Sequence, residues 1–317
     1  MKPILTGLLS ITLFFLVCEV SKAGPWYTGP LLAPSGHTIP KGHTNLEIND
    51  FNTVILGIYD NRGHVSRTPG NRTYALSPIF SHGLTDKVDL QFSGAYNHNR
   101  YAGASSTLLG DSSVTLGYQL LEQKEARWRP DLRVTLQEIL PTGRYENLNP
   151  AKNGTDSTGL GSYQTAINFN FQLLRELKNA HYLRTRLSLG YVKANKVHID
   201  GFSSYGGNAG TDGSIFPGNL ISADLATELS LTQNWVAVME VFSNRRKSTR
   251  FKGTPGFDAQ DNFDTIGRGV GRQFSLAPAM EYNFSPNIGI ISGVWFPVYG
   301  NQTAKFVSYI VALNAFW

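Results

Sequence analysis

The sequence predicts an all-β protein, a transmembrane antiparallel up-and-down β-barrel of about 12 strands, and three observations support this. Residues 301–317 alternate between apolar and smaller or more polar residues, which is the period of a strand with one apolar face. Similar runs recur along the chain, separated by connections that are long and short in turn. Charged residues make up only 16% of the chain, whereas soluble domains average about 25%. A surface so poor in charge is expected either to face lipid over much of its area or to assemble with further copies of the protein.

The final strand carries the clearest signal. Its apolar face holds Tyr309, Val311, Leu313 and Trp317. An apolar strand at the edge of a sheet promotes aggregation, whereas in a closed barrel the last strand pairs with the first and its apolar face meets lipid. These residues also resemble the C-terminal assembly signal of bacterial outer-membrane barrels, which implies the outer-membrane barrel assembly machinery as a partner. The alternative here is the last strand of a soluble β-sandwich.

The N-terminus has the features of a signal peptide that covers residues 1–23. Lys2 supplies the positive charge, residues 8–17 form an apolar run, and small residues suit cleavage near Ala23. The apolar run is too short to cross a membrane as a helix. Cys18 is the only cysteine, so the mature chain would contain neither a disulfide nor a thiolate metal site. Together with the barrel pattern, this predicts the outer membrane of a Gram-negative bacterium.

Charge and hydropathy exclude other classes of protein. The formal net charge of +5 is mild and shows no charge runs, which argues against a nucleic-acid partner. No stretch after the signal approaches 18 apolar residues, so helical membrane spans are excluded. Residues 24–42 are rich in Pro and Gly and predict an irregular segment, either periplasmic or inside the barrel. The barrel would then occupy residues 43–317.

Strand-like runs follow one another through the barrel region. The twelve predicted strands span residues 43–59, 73–84, 87–97, 111–123, 128–140, 161–175, 180–194, 218–231, 235–244, 272–284, 288–299 and 304–317. The long polar connections are residues 60–72, 98–110, 141–160, 195–217 and 245–271. The intervening connections are short, and only residues 300–303 break the alternation. Long loops at one end and short turns at the other are typical of outer-membrane barrels, with the short turns in the periplasm.

The short turns fix the register of the strands. In the turn at 231–235, Leu231 is expected to lie opposite Trp235, with Asn234, like Asn287 in a later turn, in the left-handed conformation. This register gives most strands one apolar face, with aromatic residues at the strand ends as in interfacial girdles. The first and ninth predicted strands remain ambiguous because both of their faces carry apolar residues.

The polar faces carry the candidate site, because in a barrel they would line the lumen. The predicted pore-lining residues, which bear both signs of charge, are Arg133, Arg184, Arg186, Asp224, Glu228 and Glu281. One hypothesis is a narrow channel whose opposed charges select small solutes. The other is a salt-bridge network that plugs a closed barrel, since charges in a lumen must pair in either case. Residues 24–42 and the long loops are candidate gates.

No catalytic residue, metal or cofactor is predicted. The oxygens of loop 141–160, Asp156 among them, would suit a weak calcium site, but a polar surface loop explains them equally well. An embedded hydrolase would need a Ser–His pair at the barrel rim. His82 and His98 lie near predicted strand ends, but no motif ties a serine to either. A structural or adhesive barrel is a third alternative, based on the long loops.

Five segments together resemble one bacterial family. They are GPWYTGPLLAPSGHTIPKGH (24–43), LRVTLQEILPTGRYENLNPAKNGTDSTGLGSYQT (132–165), HYLRTRLSLGY (181–191), SADLATELSLTQNW (222–235) and SLAPAMEYNFSPNIGIISGVWF (275–296). In combination they are similar to the family named "MetA-pathway of phenol degradation", whose members are outer-membrane β-barrels. The resemblance implies a transmembrane barrel and, by the family's name, uptake of aromatic compounds, and it assigns no catalytic residue. The resulting expectation is a channel for passive or facilitated uptake of small molecules, with membrane lipid and a small solute as partners.

Overall fold

The computed structural model describes residues 25–124, 128–257 and 265–317, and the predicted signal peptide, residues 1–23, lies outside the described residues. The strands are β1 (Thr44–Tyr59), β2 (Val65–Thr85), β3 (Val88–Ser93), β4 (Tyr96–Tyr101), β5 (Ala104–Leu109), β6 (Ser112–Leu121), β7 (Asp131–Leu140), β8 (Gln164–Glu176), β9 (Tyr182–Ala194), β10 (Val197–Asp200), β11 (Asp212–Phe216), β12 (Leu220–Ser230), β13 (Trp235–Arg246), β14 (Arg250–Thr254), β15 (Gly271–Asn283), β16 (Ile288–Asn301) and β17 (Ala304–Phe316). Two single 3-10 turns, Pro150–Lys152 and Lys178–Ala180, accompany them. Within the described ranges, no helix is long and apolar enough to cross a membrane.

Twelve antiparallel strands close into a barrel. Their order is β1-β2-β3-β6-β7-β8-β9-β12-β13-β15-β16-β17, and β1 pairs with both β2 and β17. The wall strand that begins with β3 continues as β4, and β5 leads into β6 in the same way, with β4 and β5 paired as a hairpin. Closure satisfies the main-chain groups that a sheet edge would leave unpaired. The predicted fold class is confirmed.

Two connections predicted as loops, 60–72 and 98–110, are largely strand. β2 already begins at Val65, and β4 and β5 meet at a tight turn in which Ala102 and Gly103 have φ of 47° and 81°. The polar side chains of these segments do not prevent pairing, because the ladder is formed by main-chain groups that every residue carries. The wall of the barrel therefore extends beyond its apolar band.

The predicted apolar faces point out of the barrel. Leu136 is 55% exposed and Leu189 is 42% exposed, whereas their inward-facing neighbours Thr135 and Ser188 are buried. Aromatic residues at the strand ends, such as Trp235, are also exposed on this outer surface. An outward apolar band flanked by aromatic residues is the lipid-facing surface of an outer-membrane barrel.

The short turns have the predicted register, but a different interaction closes them. The Leu231 amide donates to the Trp235 carbonyl oxygen at 2.8 Å, so these residues are opposed as expected. Asn234 and Asn287 do not adopt the left-handed conformation, so that part of the prediction is wrong. Instead the Thr232 hydroxyl accepts hydrogen bonds from the amides of Asn234 and Trp235 at 3.2 and 3.0 Å. The side chain thereby closes the turn, which removes the need for a left-handed residue.

A small sheet stands apart from the barrel at its long-loop end. It consists of β10, β11 and β14, which lie in two connections predicted as loops. Its centre is formed by the buried side chains Val197, Ile199 and Ile215. The Tyr205 hydroxyl donates to the Leu160 carbonyl oxygen at 2.7 Å, and burial raises the pKa of Tyr205 to about 12. The long outer loops thus form a packed cap.

Candidate functional site

Residues 25–42, here called the strap, run inside the barrel. The sequence predicts that this segment lies either in the periplasm or in the lumen, and the structure places it in the lumen. Near one end the Trp26 amide donates to the Gln233 carbonyl oxygen at 3.2 Å. At the other end Lys41 forms a bridge with Gly83, where a Cβ would come within 2.0 Å of the Pro40 carbonyl oxygen. Both ends lie beside short turns, so the strap enters and leaves at the periplasmic end.

The main chain of the strap binds inward-facing acidic and amide side chains. Glu240 on β13 accepts from the amides of Leu31, Leu32 and Ala33 at 2.5, 3.0 and 2.8 Å. Three amides directed at one carboxylate form a compact anion site, which the protein fills with its own side chain. Because Glu240 is fully buried, these hydrogen bonds also compensate for its loss of water. The middle of the strap is therefore fixed through its backbone.

Glu281 and Asn283 on β15 hold the beginning of the strap. Glu281 accepts from the amides of Thr28 and Gly29, the latter at 3.4 Å, and from the Asn283 side-chain amide at 2.8 Å. Asn283 also donates to the Trp26 carbonyl oxygen at 3.0 Å. Gly29 has a φ of 125°, a conformation that side chains rarely adopt, so glycine is required where the strap bends.

A buried ion-pair network lies on β9 and β12. Glu228 is fully buried and pairs with Arg184, whose Nε donates to it at 2.6 Å, and with Arg186, whose Nε lies 3.2 Å from its carboxylate. Arg186 also donates to the Ala33 carbonyl oxygen at 3.2 Å, and Arg184 stacks on the Tyr27 ring at 4.0 Å. The two arginines therefore share one carboxylate and both contact the strap.

A second ion pair holds the end of the strap. Arg133 on β7 donates to Asp89 on β3 at 2.7 Å, and Asp89 also accepts from the Ile39 amide at 2.9 Å. Nearby, Gln119 accepts from the Thr38 amide at 2.7 Å. These contacts continue around the inner wall from β9, so one side of the lumen carries polar groups that bind the strap.

The six predicted pore-lining residues thus all face inward. Five of them form the contacts just described, and Asp224 on β12 is 5% exposed, with no hydrogen-bond partner for Oδ1 in the part of the chain that the structure describes. The strap covers this wall, so whether these residues also contact a passing solute stays a prediction. Sequence reasoning did not single out Glu240 as a site residue, because its strand carries apolar residues on both faces. The sequence signal that could have identified Glu240 is that it is the one acidic residue among the apolar residues of this strand.

The inner surface also has an apolar part, which is formed by side chains of β13, β15, β16 and β17. Leu31 of the strap packs into a buried cluster with Val236, Ile291 and Ile310. A Cβ on Gly293 would lie 2.7 Å from Leu31, so the strap reaches this side of the lumen as well. The apolar residues on both faces of the first and ninth predicted strands are explained by this packing.

Aromatic side chains lie above this cluster on the inner wall. The Trp295 ring is 4.8 Å from Phe306 and 6.0 Å from Phe242, both edge to face, and its Nε1 donates to Ser275 at 2.8 Å. Phe306 is paired with Ile55 in the β1–β17 ladder. Each of the three aromatic side chains is only half-buried. They form a partly open apolar surface inside the barrel.

A cavity of about 550 Å³ lies at the outer end of the barrel next to this surface. Its lining includes Ile55, Tyr59, Asn71, Tyr101 and Arg268. Because Ile55 is also the ladder partner of Phe306, the cavity adjoins the aromatic surface. Its volume falls in the range of about 300–1,000 Å³ that is usual for sites of small molecules.

The histidines named for an embedded hydrolase have other partners. His82 Nδ1 lies 2.9 Å from the Thr44 hydroxyl, and His98 Nδ1 lies 2.6 Å from the Thr107 hydroxyl. In loop 141–160, Asp156 accepts from the Asn149 amide at 2.9 Å. Across residues 25–124, 128–257 and 265–317, no group of three or more His, Cys, Asp or Glu side chains is placed to hold a metal ion.

Comparison with known proteins supports the fold. No family model matches the chain, and no curated protein does. An outer membrane channel from Pseudomonas putida F1 is similar in structure, with a TM-score of 0.65 and 14% identity over 91% of this chain and 100% of that one. A NanC porin aligns with a TM-score of 0.45 and 9% identity, over 85% of this chain and 98% of that one. A deletion mutant of the TodX monoaromatic hydrocarbon channel aligns with a TM-score of 0.35 and 11% identity, over 88% of this chain and 90% of that one. At these identities the first likeness establishes the outer-membrane barrel fold.

Proposed function

We propose that this protein is an outer-membrane channel for the uptake of small apolar molecules, aromatic ones included, and that it is not an enzyme. The observation that carries the proposal is the half-buried aromatic surface of Phe242, Trp295 and Phe306 inside a closed barrel. Edge-to-face contact with aromatic side chains favours aromatic ligands. The resemblance to the phenol-degradation family supports the same class of solute.

The arrangement suggests a route with three parts. A solute would enter the outer cavity, pass Ile55 and reach the aromatic surface, which lies directly beyond it. The strap crosses the lumen below this point and would act as the gate, since it is bound both by hydrogen bonds to inward-facing side chains and by the packing of Leu31. In the alternative hypothesis of a plugged barrel, the strap never moves and the lumen stays closed.

Single-channel conductance in a planar bilayer tests the proposal. We expect small ohmic steps, and we expect a monoaromatic alcohol to reduce the current because it occupies the aromatic surface. Trp295→Ala should weaken this block, whereas Trp128→Ala should leave it unchanged because Trp128 is 76% exposed. Conductance that the alcohol does not affect would contradict the aromatic solute. A folded but silent barrel would contradict the open channel.

A second variant distinguishes a gate from a plug. In Gly83→Ala the new methyl group would clash with the Pro40 carbonyl oxygen and displace the end of the strap. We expect conductance to rise. Gly94→Ala is the matched control, because a Cβ there would meet nothing within 4 Å. A current that is equal in both variants would show that the strap does not limit passage.

A further inference from the structure

The outer surface of the β4–β5 hairpin and β2 is graded in three rows. Leu76, Tyr96 and Leu109 are directly opposed across the three strands and are 47%, 52% and 62% exposed. Two residues further towards the hairpin tip, the next row consists of Tyr74, His98 and Thr107. The third row consists of Arg72, Arg100 and Ser105. From the membrane outwards the surface therefore changes from apolar to polar-aromatic to cationic.

The arginine row places like charges next to each other. Arg72 and Arg100 are ladder partners on the same face, both exposed, and like charges directly opposite destabilise a sheet. Arg72 donates to the Tyr74 hydroxyl at 3.0 Å, but neither arginine forms an ion pair with any described residue. The carboxylate of Asp50 on the same face is opposite Leu76, four residues or about 13 Å along β2. Among the residues that the structure describes, no acidic side chain therefore compensates these two positive charges.

The hairpin is supported from its other side, which leaves the arginine face free. Asn99 donates to the Thr155 carbonyl oxygen at 2.9 Å, and the Ser106 and Thr155 hydroxyls are 3.1 Å apart. Lys152 donates to the Ser105 carbonyl oxygen at 3.1 Å, which adds a third cation beside the row. The loop that closes the lumen side therefore holds the hairpin upright beyond the apolar band.

We propose that Arg72 and Arg100 bind a phosphate group of a phosphorylated glycolipid in the outer leaflet. Arginine guanidinium groups bind phosphate with paired, charge-assisted hydrogen bonds. The three rows match such a lipid, with acyl chains at Leu76, Tyr96 and Leu109 and the headgroup at the arginines. A free phosphate ion would use the arginines alone and would have no reason to lie above an apolar surface. The site is separate from the lumen, so it does not depend on transport.

Thiol protection at Ser105 tests the site. Cys18 lies in the predicted signal peptide, so Ser105→Cys would give the mature chain a single thiol beside Arg100. We expect vesicles that contain diphosphorylated lipid A to slow its reaction with a maleimide. Arg72→Gln together with Arg100→Gln should weaken this protection by about tenfold, because two charge-assisted contacts are lost. Arg62→Gln, which removes an exposed arginine of the β1–β2 loop, should have no effect.

Three results would overturn the proposal. The first is unchanged protection of the thiol in the double variant, in protein shown to be folded. The single variant Arg100→Gln repeats this test with a smaller change to the protein. The second is equal protection by lipid A that lacks its phosphates, which would show that the lipid binds only through apolar contacts. The third is equal protection by inorganic phosphate in lipid-free detergent, which would replace the lipid by a free anion.

Discussion

The two sides of the lumen hold the same segment by different means. On one side, Asp89, Arg133, Arg184, Arg186 and Glu228 bind the strap or pair with residues that do, and this set is here called the charged wall. On the other side, Val236, Ile291 and Ile310 pack in one buried cluster with Leu31, and this set is here called the apolar wall. Hydrogen bonds fix direction and register, whereas apolar packing fixes only proximity. A segment held by both is positioned by one wall and pressed against it by the other.

Glu228→Gln should have the largest effect, because it leaves Arg184 and Arg186 buried without their carboxylate. We expect the free energy of unfolding to fall by about 3–5 kcal/mol, measured by urea unfolding of the reconstituted barrel. Asp224→Asn is the matched control. Asp224 Oδ1 has no hydrogen-bond partner within the described ranges, so loss of its charge should leave stability unchanged or raise it. Equal losses of unfolding free energy in both variants would mean that the ion pairs do not stabilise the charged wall.

Leu187→Arg tests the boundary between the charged wall and the lipid, since Leu187 follows Arg186 on β9 and faces outward. The loss should be about 2–4 kcal/mol at mid-membrane. Leu183→Arg, nearer the periplasmic end of the same face, should cost only about 0–1 kcal/mol. The same unfolding measurement applies, and a Leu187→Arg barrel as stable as wild type would show that the two faces of β9 are reversed.

Leu31→Ala addresses the apolar wall. Removing this buried side chain should weaken docking of the strap by about 2–3 kcal/mol without unfolding the barrel. Trypsin cleavage after Lys41 in folded protein should therefore become faster. Pro34→Ala, at an exposed position of the strap, should cleave at the wild-type rate. An unchanged rate in Leu31→Ala would show that hydrogen bonds hold the strap without this apolar packing.

Trp295→Phe should have the smallest effect. The aromatic contacts persist, but the hydrogen bond from Nε1 to the Ser275 hydroxyl is lost, which should cost about 1 kcal/mol in thermal unfolding. Ser275→Ala removes the same bond from the other side, so the double variant should be no less stable than either single one. Additive losses would mean that the bond contributes nothing.

The charged wall was predictable from the sequence and the apolar wall was not. A strand between lipid and a polar interior alternates with period two, so Arg133, Arg184 and Arg186 stand out on strands whose other face is largely apolar. On β13 both faces carry apolar residues, because Val236 and Val238 pack against the strap, and the alternation that assigns faces disappears. The strap itself has no periodicity, since its shape follows the side chains that bind its backbone. Its place in the lumen depends on contacts distant in the chain.

The outer sheet was missed for a different reason. β10, β11 and β14 have only four or five residues each, too few for a period to be recognised. Only the register of the turns was predictable. The length of the turn places Leu231 opposite Trp235. The hydrogen bonds to the Thr232 hydroxyl could not be predicted, because several residue types can close such a turn.

The binding of three successive amides by Glu240 has a consequence for how a barrel with an internal strap could diversify. Leu31, Leu32 and Ala33 are recognised there through atoms that nearly every amino acid possesses, so the anchor is indifferent to most replacements in the strap. Side chains of this segment that point into the open lumen are thus free to be exchanged one at a time while the segment keeps its path. In the proposed channel, a few replacements in the strap would therefore change selectivity and leave the surrounding barrel as it is.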